Sequence, residues 1–179
     1  GMALWAQGNL EEAGDAFRTA LDLDPELAEA HLGVGEVEYA RGNYDLAAES
    51  FSAVLRLEPE NAQALNSLGW AEYYRDRREA ACRHFREAVR LAPWLAEAHD
   101  GVGWCHIEND APEEAVKAFQ TAIEMDPNLA QGYNGLGWAY YYLDRFDEAV
   151  SAFEAALDLD PTLIEAQVGL EMVHLAQGK

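Results

Sequence analysis

Positive charge is scarce in this chain: 12 lysines and arginines stand against 33 aspartates and glutamates, a formal net charge of -21 over 179 residues. So acidic a surface repels phosphate backbones and anionic headgroups, which argues against nucleic-acid and membrane-surface binding. Cysteine is nearly absent. Two thiols, Cys82 and Cys105, make no disulfide framework, and the expectation for both is a small buried hydrophobe. No apolar run approaches the roughly 20 residues a membrane helix needs, and no charged-then-apolar leader is present, so a soluble, cytoplasmic protein is expected. Gly1 before Met2 reads as the scar of a removed tag, which leaves room for a trimmed targeting segment. Proline is sparse as well, with six residues, but five of them are strictly ordered.

Those five are Pro25, Pro59, Pro93, Pro127 and Pro161, spaced by 34 residues without slippage. Eight residues before each stands Phe17, Phe51, Phe85, Phe119 or Phe153, and four before each Phe stands Ala13, Ala47, Ala81, Ala115 or Ala149. With Ala28 as position 1, position 8 is Gly35, Gly69, Gly103 and Gly137. A 34-residue period with small residues at 8 and 20, an aromatic at 24 and proline at 32 resembles the tetratricopeptide repeat (TPR) family. The resemblance implies an all-α protein, an α-α superhelix or TPR solenoid of about five helix-turn-helix repeats. It departs from the family pattern at position 4, where His31, Leu65, His99, Tyr133 and Gln167 stand in place of the favoured Trp. The expected organisation is one array over 1–179: a partial repeat at 1–27, repeats at 28–61, 62–95, 96–129 and 130–163, and a terminal helix at 164–179.

First helices are predicted near 28–41, 62–75, 96–109 and 130–143, and second helices near 44–57, 78–91, 112–125 and 146–159. Asp24, Glu58, Ala92, Asp126 and Asp160 should end the second helices, because the proline that follows disfavours a helical backbone in the residue before it. Gly8 with Asn9, and Gly42 with Asn43, read as turns in which Gly takes the left-handed conformation and Asn caps the next helix. Pro112 fits a first helical turn. Positions 4, 7, 8 and 11 form the stripe that meets the second helix, with Gly at 8 and Ala at 20 allowing close approach. The same packing accounts for the Gly-x-Gly pairs at 33/35, 101/103 and 135/137, which sit mid-helix and make no nucleotide loop.

Alternate repeats are more alike than adjacent ones, as a duplicated 68-residue block would make them. The phase Ala6-Gln7-Gly8-Asn9 returns at Ala40 to Asn43 and, in part, at Ala176 to Gly178. Two readings of the last segment stay open: a piece of a longer array, or a capping helix opened by Thr162 and Glu165 as a capping box.

Positions 2, 5, 9 and 12 lie opposite the packing stripe and should line the surface the first helices present together. Trp70, Trp104 and Trp138 occupy position 9, with Tyr39, Tyr73, Ile107 and Tyr141 at 12 and Tyr74 and Tyr142 at 13. Large rigid rings of this kind dominate binding energetics on a partly apolar surface. Gln63, Asn66, Gln131 and Asn134 add amides able to pair with an extended backbone. The resemblance implies a concave surface that binds peptides or helices, with asparagines on the ligand main chain. A plainer account has neighbouring first helices burying the rings against one another. Glu29, Glu36, Glu97, Asp100, Glu108 and Glu165 fall on or beside this face. Where relatives that clamp acidic tails carry Lys and Arg, this chain has Leu32, Glu36, Asn66, Trp70, Asp100 and Trp104, so that function is not carried over. An apolar, aromatic or basic ligand fits better.

Half of the basic residues fall in one repeat: Arg75, Arg77, Arg78, Arg83, Arg86 and Arg90. They read either as solvated partners of nearby acids or as a patch that docks an acidic surface. His99 and His106, seven apart, occupy packing positions and read as structural, with no metal site. No catalytic constellation, cofactor motif or phosphate loop stands outside the repeat pattern. The sequence therefore points to a non-catalytic interaction scaffold or adaptor with a protein or peptide partner. Its alternatives are a homo-oligomeric assembly scaffold and the substrate-recognition arm of a larger enzyme. A sugar or small-molecule site on the aromatic faces is a further, weaker option.

Overall fold

The computed structural model describes residues 9–178. Gly8 of the first expected turn, the preceding Ala6 and Gln7, and the scar at Gly1 and Met2 lie outside the described residues. Among the described residues there are ten helices and no strand. The chain divides into two compact units, Gly1–Ala92 and Pro93–Lys179.

The first unit holds α1 (Leu10–Leu23), α2 (Ala28–Ala40), α3 (Tyr44–Leu57), α4 (Ala62–Tyr74) and α5 (Arg78–Leu91). The second holds α6 (Ala96–Glu108), α7 (Pro112–Met125), α8 (Ala130–Tyr142), α9 (Phe146–Leu159) and α10 (Ile164–Ala176). Within each unit a second helix packs on the first helix of its own repeat, as α3 does on α2 and α7 on α6. It also packs on the first helix of the repeat that follows, as α3 does on α4 and α7 on α8. This is the expected all-α fold of stacked helix-turn-helix repeats.

The stops fall where the prolines put them: Asp24, Glu58, Ala92, Asp126 and Asp160 are the C-caps of the second helices. The aspartates also brace the turn that follows. Asp24, Asp126 and Asp160 each accept, through Oδ1, the amide two residues on, at 2.9–3.0 Å. At position 4 the side chain then ties down the same turn: His31 and His99 Nε2 lie 2.9 and 2.8 Å from the Pro25 and Pro93 carbonyls, and Gln167 donates to Pro161 at 2.9 Å. The polar residue in these three repeats thus locks the proline turn onto the next helix.

Phenylalanine at position 24 is the centre of each repeat. Phe51, Phe85, Phe119 and Phe153 are at most 1% exposed. A methyl added to Gly35, Gly69, Gly103 or Gly137 would stand 2.5–2.6 Å from the Phe ring of the same repeat. A methyl on Gly33, Gly135 or Gly169 would strike the Phe of the repeat before. Phe119 and Phe153 are thus each caged between two glycines, one from either neighbouring first helix. The Gly-x-Gly spacing makes room for a ring, and this differs from the expectation that backbones alone approach there. Giving up helix propensity at glycine costs about 1 kcal/mol, less than the roughly 1.5–3 kcal/mol from burying a phenylalanine.

Several local expectations are corrected. Asn43 does not cap α3: its amide donates to Glu38 at 2.7 Å, and the cap lacks a side-chain bond. Thr162 does not open a capping box, because α10 begins at Ile164 and Thr162 turns its hydroxyl to Asp160 at 2.7 Å. Gly42 takes φ +77° as expected, but the equivalent turns of the next three repeats use Asp76, Asp110 and Asp144 at φ 55–60°. Aspartate tolerates this region better than most residues with a Cβ. Cys82 and Cys105 are buried as expected, but neither is a free thiol.

Candidate functional site

In the first unit the outer face of α2 and α4 carries a connected set of rings. Tyr44 and Tyr74 stack at 4.8 Å between centroids, Tyr39 meets both edge-on at 5.5 and 5.9 Å, and Trp70 meets Tyr73 edge-on at 5.7 Å. Trp70 also stands edge-on to Phe85 at 5.0 Å. The guanidinium of Arg78 covers the Tyr73 ring at 3.9 Å. Tyr74 is half exposed, whereas burial raises the Tyr39 hydroxyl well above the ordinary phenol range, with Tyr74 and Tyr44 beside it. Glu36, half-buried at position 9, accepts from Ser67 on α4 at 3.2 Å; burial holds its carboxyl above the usual range against that bond.

In the second unit Trp104 stands edge-on to Phe119 at 5.7 Å, and Trp138 to Phe153 at 5.5 Å. Trp138 continues into Tyr141 at 5.7 Å and Tyr142 at 6.3 Å. Ile107 packs inward against the Ala115, Val116, Phe119 and Ala139 core. Gln131 is exposed.

Two features of this face differ from the sequence expectation. The tryptophans do not face away from the helix-pair core: each meets the buried Phe of its own repeat in a T-shaped contact and stays half-buried. The position-5 residues are not surface amides, since Asn66, Asp100 and Asn134 are only 4, 3 and 5% exposed. The Oδ1 of each is buried without a hydrogen-bond partner. An unmade bond of this kind costs about 1–3 kcal/mol, more for a charge, and here the cost recurs in three successive repeats at one register. Burial, and then the neighbouring Glu97 carboxylate, push Asp100 up to about 8.

Sequence reasoning missed a polar layer at position 11. In the first unit Glu38 is buried and accepts from Asn43 at 2.7 Å, Arg18 at 2.9 Å and Arg41 at 3.0 Å. Burial alone would raise its carboxyl; Asn43, Arg41 and Arg18 outweigh it and hold the group below the usual range. Glu72 binds Arg75 at 3.0 Å and Arg77 at 3.5 Å, and Arg75 reaches Asp45 at 2.7 Å. Acids spaced by 34 residues with arginines three to five positions on were the available signal. Beside this layer, Tyr44, Tyr74, Asp45, Arg75 and Arg77 line a cleft of about 530 Å³. The arginine-rich repeat is therefore largely engaged: Arg75 and Arg77 with Glu72, Arg78 with Asp76, and Arg90 with Glu87 at 2.7 Å. Arg83 and Arg86 are exposed, and no ion pair is found for either among the described residues.

His99 and His106 are half-buried, and no group of three or more His, Cys, Asp or Glu able to hold a metal is found among the described residues. Nor, among those residues, is any helix long and apolar enough to cross a membrane.

The tetratricopeptide repeat profile matches residues 1–62 and 35–96, a second profile of that name matches 130–163, and a TPR repeat profile matches 112–144. No curated protein sequence matches the chain. Among solved structures, MamA is similar at 26% identity and a TM-score of 0.69, over 89% of this chain and 93% of MamA. YrrB, described as a TPR protein with an unusual peptide-binding site, is similar at 27% identity and a TM-score of 0.65, over 94% of this chain and 87% of YrrB. TTC0263, a thermophilic TPR protein of Thermus thermophilus, shares the fold at 20% identity and a TM-score of 0.78, over 97% of this chain and 95% of that one.

Proposed function

The chain belongs to the tetratricopeptide repeat family, and we propose that it is a non-catalytic scaffold or adaptor that takes a peptide or helix segment on the aromatic, acidic face of its first helices. The observation that carries this reading is the coupling, in three successive repeats, of a half-buried tryptophan with a buried, unpaired acceptor one helical turn before it: Asn66 and Trp70, Asp100 and Trp104, Asn134 and Trp138. Residues four apart share a helix face. Each pair thus offers an apolar ring for a ligand side chain and a polar group whose bond is not yet made. The peptide-binding site named for YrrB agrees with a ligand of this class.

Binding energy on such a face comes from burying apolar side chains against the indoles, offset by the cost of ordering a flexible ligand. Alanine at Trp104 tests the reading on a peptide array spanning basic, aromatic and acidic sequences. The expected result is basic and aromatic hits that weaken by about tenfold or more, the range of a binding hot spot. Full retention of those hits by the variant would remove the face from the account.

A second reading, assembly of copies through charge, is favoured by Arg83 and Arg86, which stand exposed and without an ion pair among the described residues in a chain of net charge -21. Light scattering at low and high salt separates the two. Charge-driven assembly dissolves as salt screens the surface, whereas a single mass at both salts leaves the peptide face as the working site.

A further inference from the structure

We infer that Asp100 makes the face of the second unit selective for a peptide segment bearing a lysine or arginine, whose cation is taken by the Asp100 carboxylate with the Trp104 indole as its second wall. The inference rests on the peptide-binding reading and gives that ligand a chemistry.

Position 5 of the first helices reads Leu32, Asn66, Asp100, Asn134 and Val168. Asn66 and Asn134 each offer both a donor and an acceptor, which suits the paired N–H and C=O of a ligand main chain. Asp100 differs from them in one atom. Protonated, its carboxyl still donates once and accepts once as the amide does; ionised, it is acceptor-only and carries a full charge, and its strongest partner is then a charged donor. Lysine and arginine are the peptide side chains that supply one.

The surroundings of Asp100 leave that partner out. Its Oδ1 is buried with no hydrogen bond, and the residue is 3% exposed. The ionisable neighbour that acts on it is Glu97, one turn earlier on α6 and of the same sign. In the first unit the buried acid Glu38 is met by Arg18 and Arg41 of this chain; Asp100 has no such counter-ion among the described residues of its unit. A buried carboxylate without one keeps its proton, in line with a pKa near 8. An incoming cation reverses this balance: Asp100 releases its proton to solvent and pairs with the ligand. Trp104, one turn on and half-buried, can swing from its edge contact with Phe119 to present an indole face to the same cation. Glu97, exposed at the rim, draws basic ligands in and repels acidic ones.

The test uses the full chain and a peptide array in which every sequence is printed with Lys, Gln or Glu at each position in turn. Wild type is expected to prefer Lys over Gln at one position by about tenfold and to reject Glu. Asp100→Asn, which restores the residue found at the equivalent place in two other repeats, should bring the Lys-to-Gln ratio close to one by weakening the Lys peptides. Asn134→Asp should add a second position of Lys preference one repeat along. A Lys-to-Gln ratio left unchanged by Asp100→Asn overturns the inference, as does a wild type that binds Lys and Gln peptides alike; both leave the peptide-binding reading standing. Absence of binding to every peptide overturns the two together.

Discussion

The two units are built on one apolar plan and differ in their polar layer. In both, a phenylalanine at position 24 fills space left by glycines, and alanine at position 20 is fully buried, from Ala13 to Ala149. At position 11 they part. The first unit has Glu38 and Glu72, clamped by arginines, where the second has His106 and Tyr140, the latter lying under Arg145 at 4.5 Å. Position 5 parts too, since the second unit carries Asp100 where asparagine stands in its neighbours. The apolar spine recurs in both units, with Ser67 in place of a glycine in the first, whereas polar positions vary from unit to unit and set how each responds to pH.

If the spine is common, its removal costs the same in either unit. Phe51→Ala and Phe119→Ala should each destabilise by about 3–5 kcal/mol, measured by urea unfolding. A gap of more than about half that cost between them would break the comparison at its base.

The polar layers should separate the units. Asp100 sits above its unfolded pKa, so the folded second unit holds the extra proton between about pH 4 and 8 and loses stability as pH rises through that window. Asp100→Asn should flatten this trend and stabilise the second unit by about 1–3 kcal/mol at pH 9, read by hydrogen exchange at amides around Phe119. Glu38 is held below its unfolded pKa, so its contribution is present above about pH 4.5 and fades as acid protonates it. Glu38→Gln should cost about 1–3 kcal/mol at pH 7, discounted for partly exposed arginines, and flatten the acid limb at amides around Phe51. Glu36, whose carboxyl is raised by burial, opposes that limb weakly. The smallest effect belongs to the turns: Asp144→Gly should stabilise by about 0.5–1 kcal/mol by relieving φ 56°, seen as a small rise in Tm.

The fold was legible because its signals are periodic and steric. Second helices at 44–57, 78–91, 112–125 and 146–159 were placed to the residue, since each proline ends the helix before it and each turn fixes the next start. Less of the site was legible. Trp70, Trp104 and Trp138 were identified, but a helical wheel gives a direction and not a depth. It could not show that a large ring at position 9 reaches back to the Phe at 24, or that Asn66 and Asn134 lie beneath the surface. Tyr44 was missed because it opens a second helix yet meets Tyr39 and Tyr74 across a turn. The cap expected of Asn43 failed because Glu38, five residues back, competes for its amide. Both turned on contacts between elements, which a one-dimensional pattern does not contain.

The central claim is that the unpaired acceptors and the indoles beside them are where a ligand binds. Its most direct test is an amide spectrum of the ¹⁵N-labelled chain, with a lysine- and aromatic-bearing peptide added. The account predicts that the indole signals of Trp70, Trp104 and Trp138 and the side-chain amides of Asn66 and Asn134 shift together and saturate. Shifts confined to α5 around Arg83 and Arg86, with those indoles and amides unmoved, would contradict it.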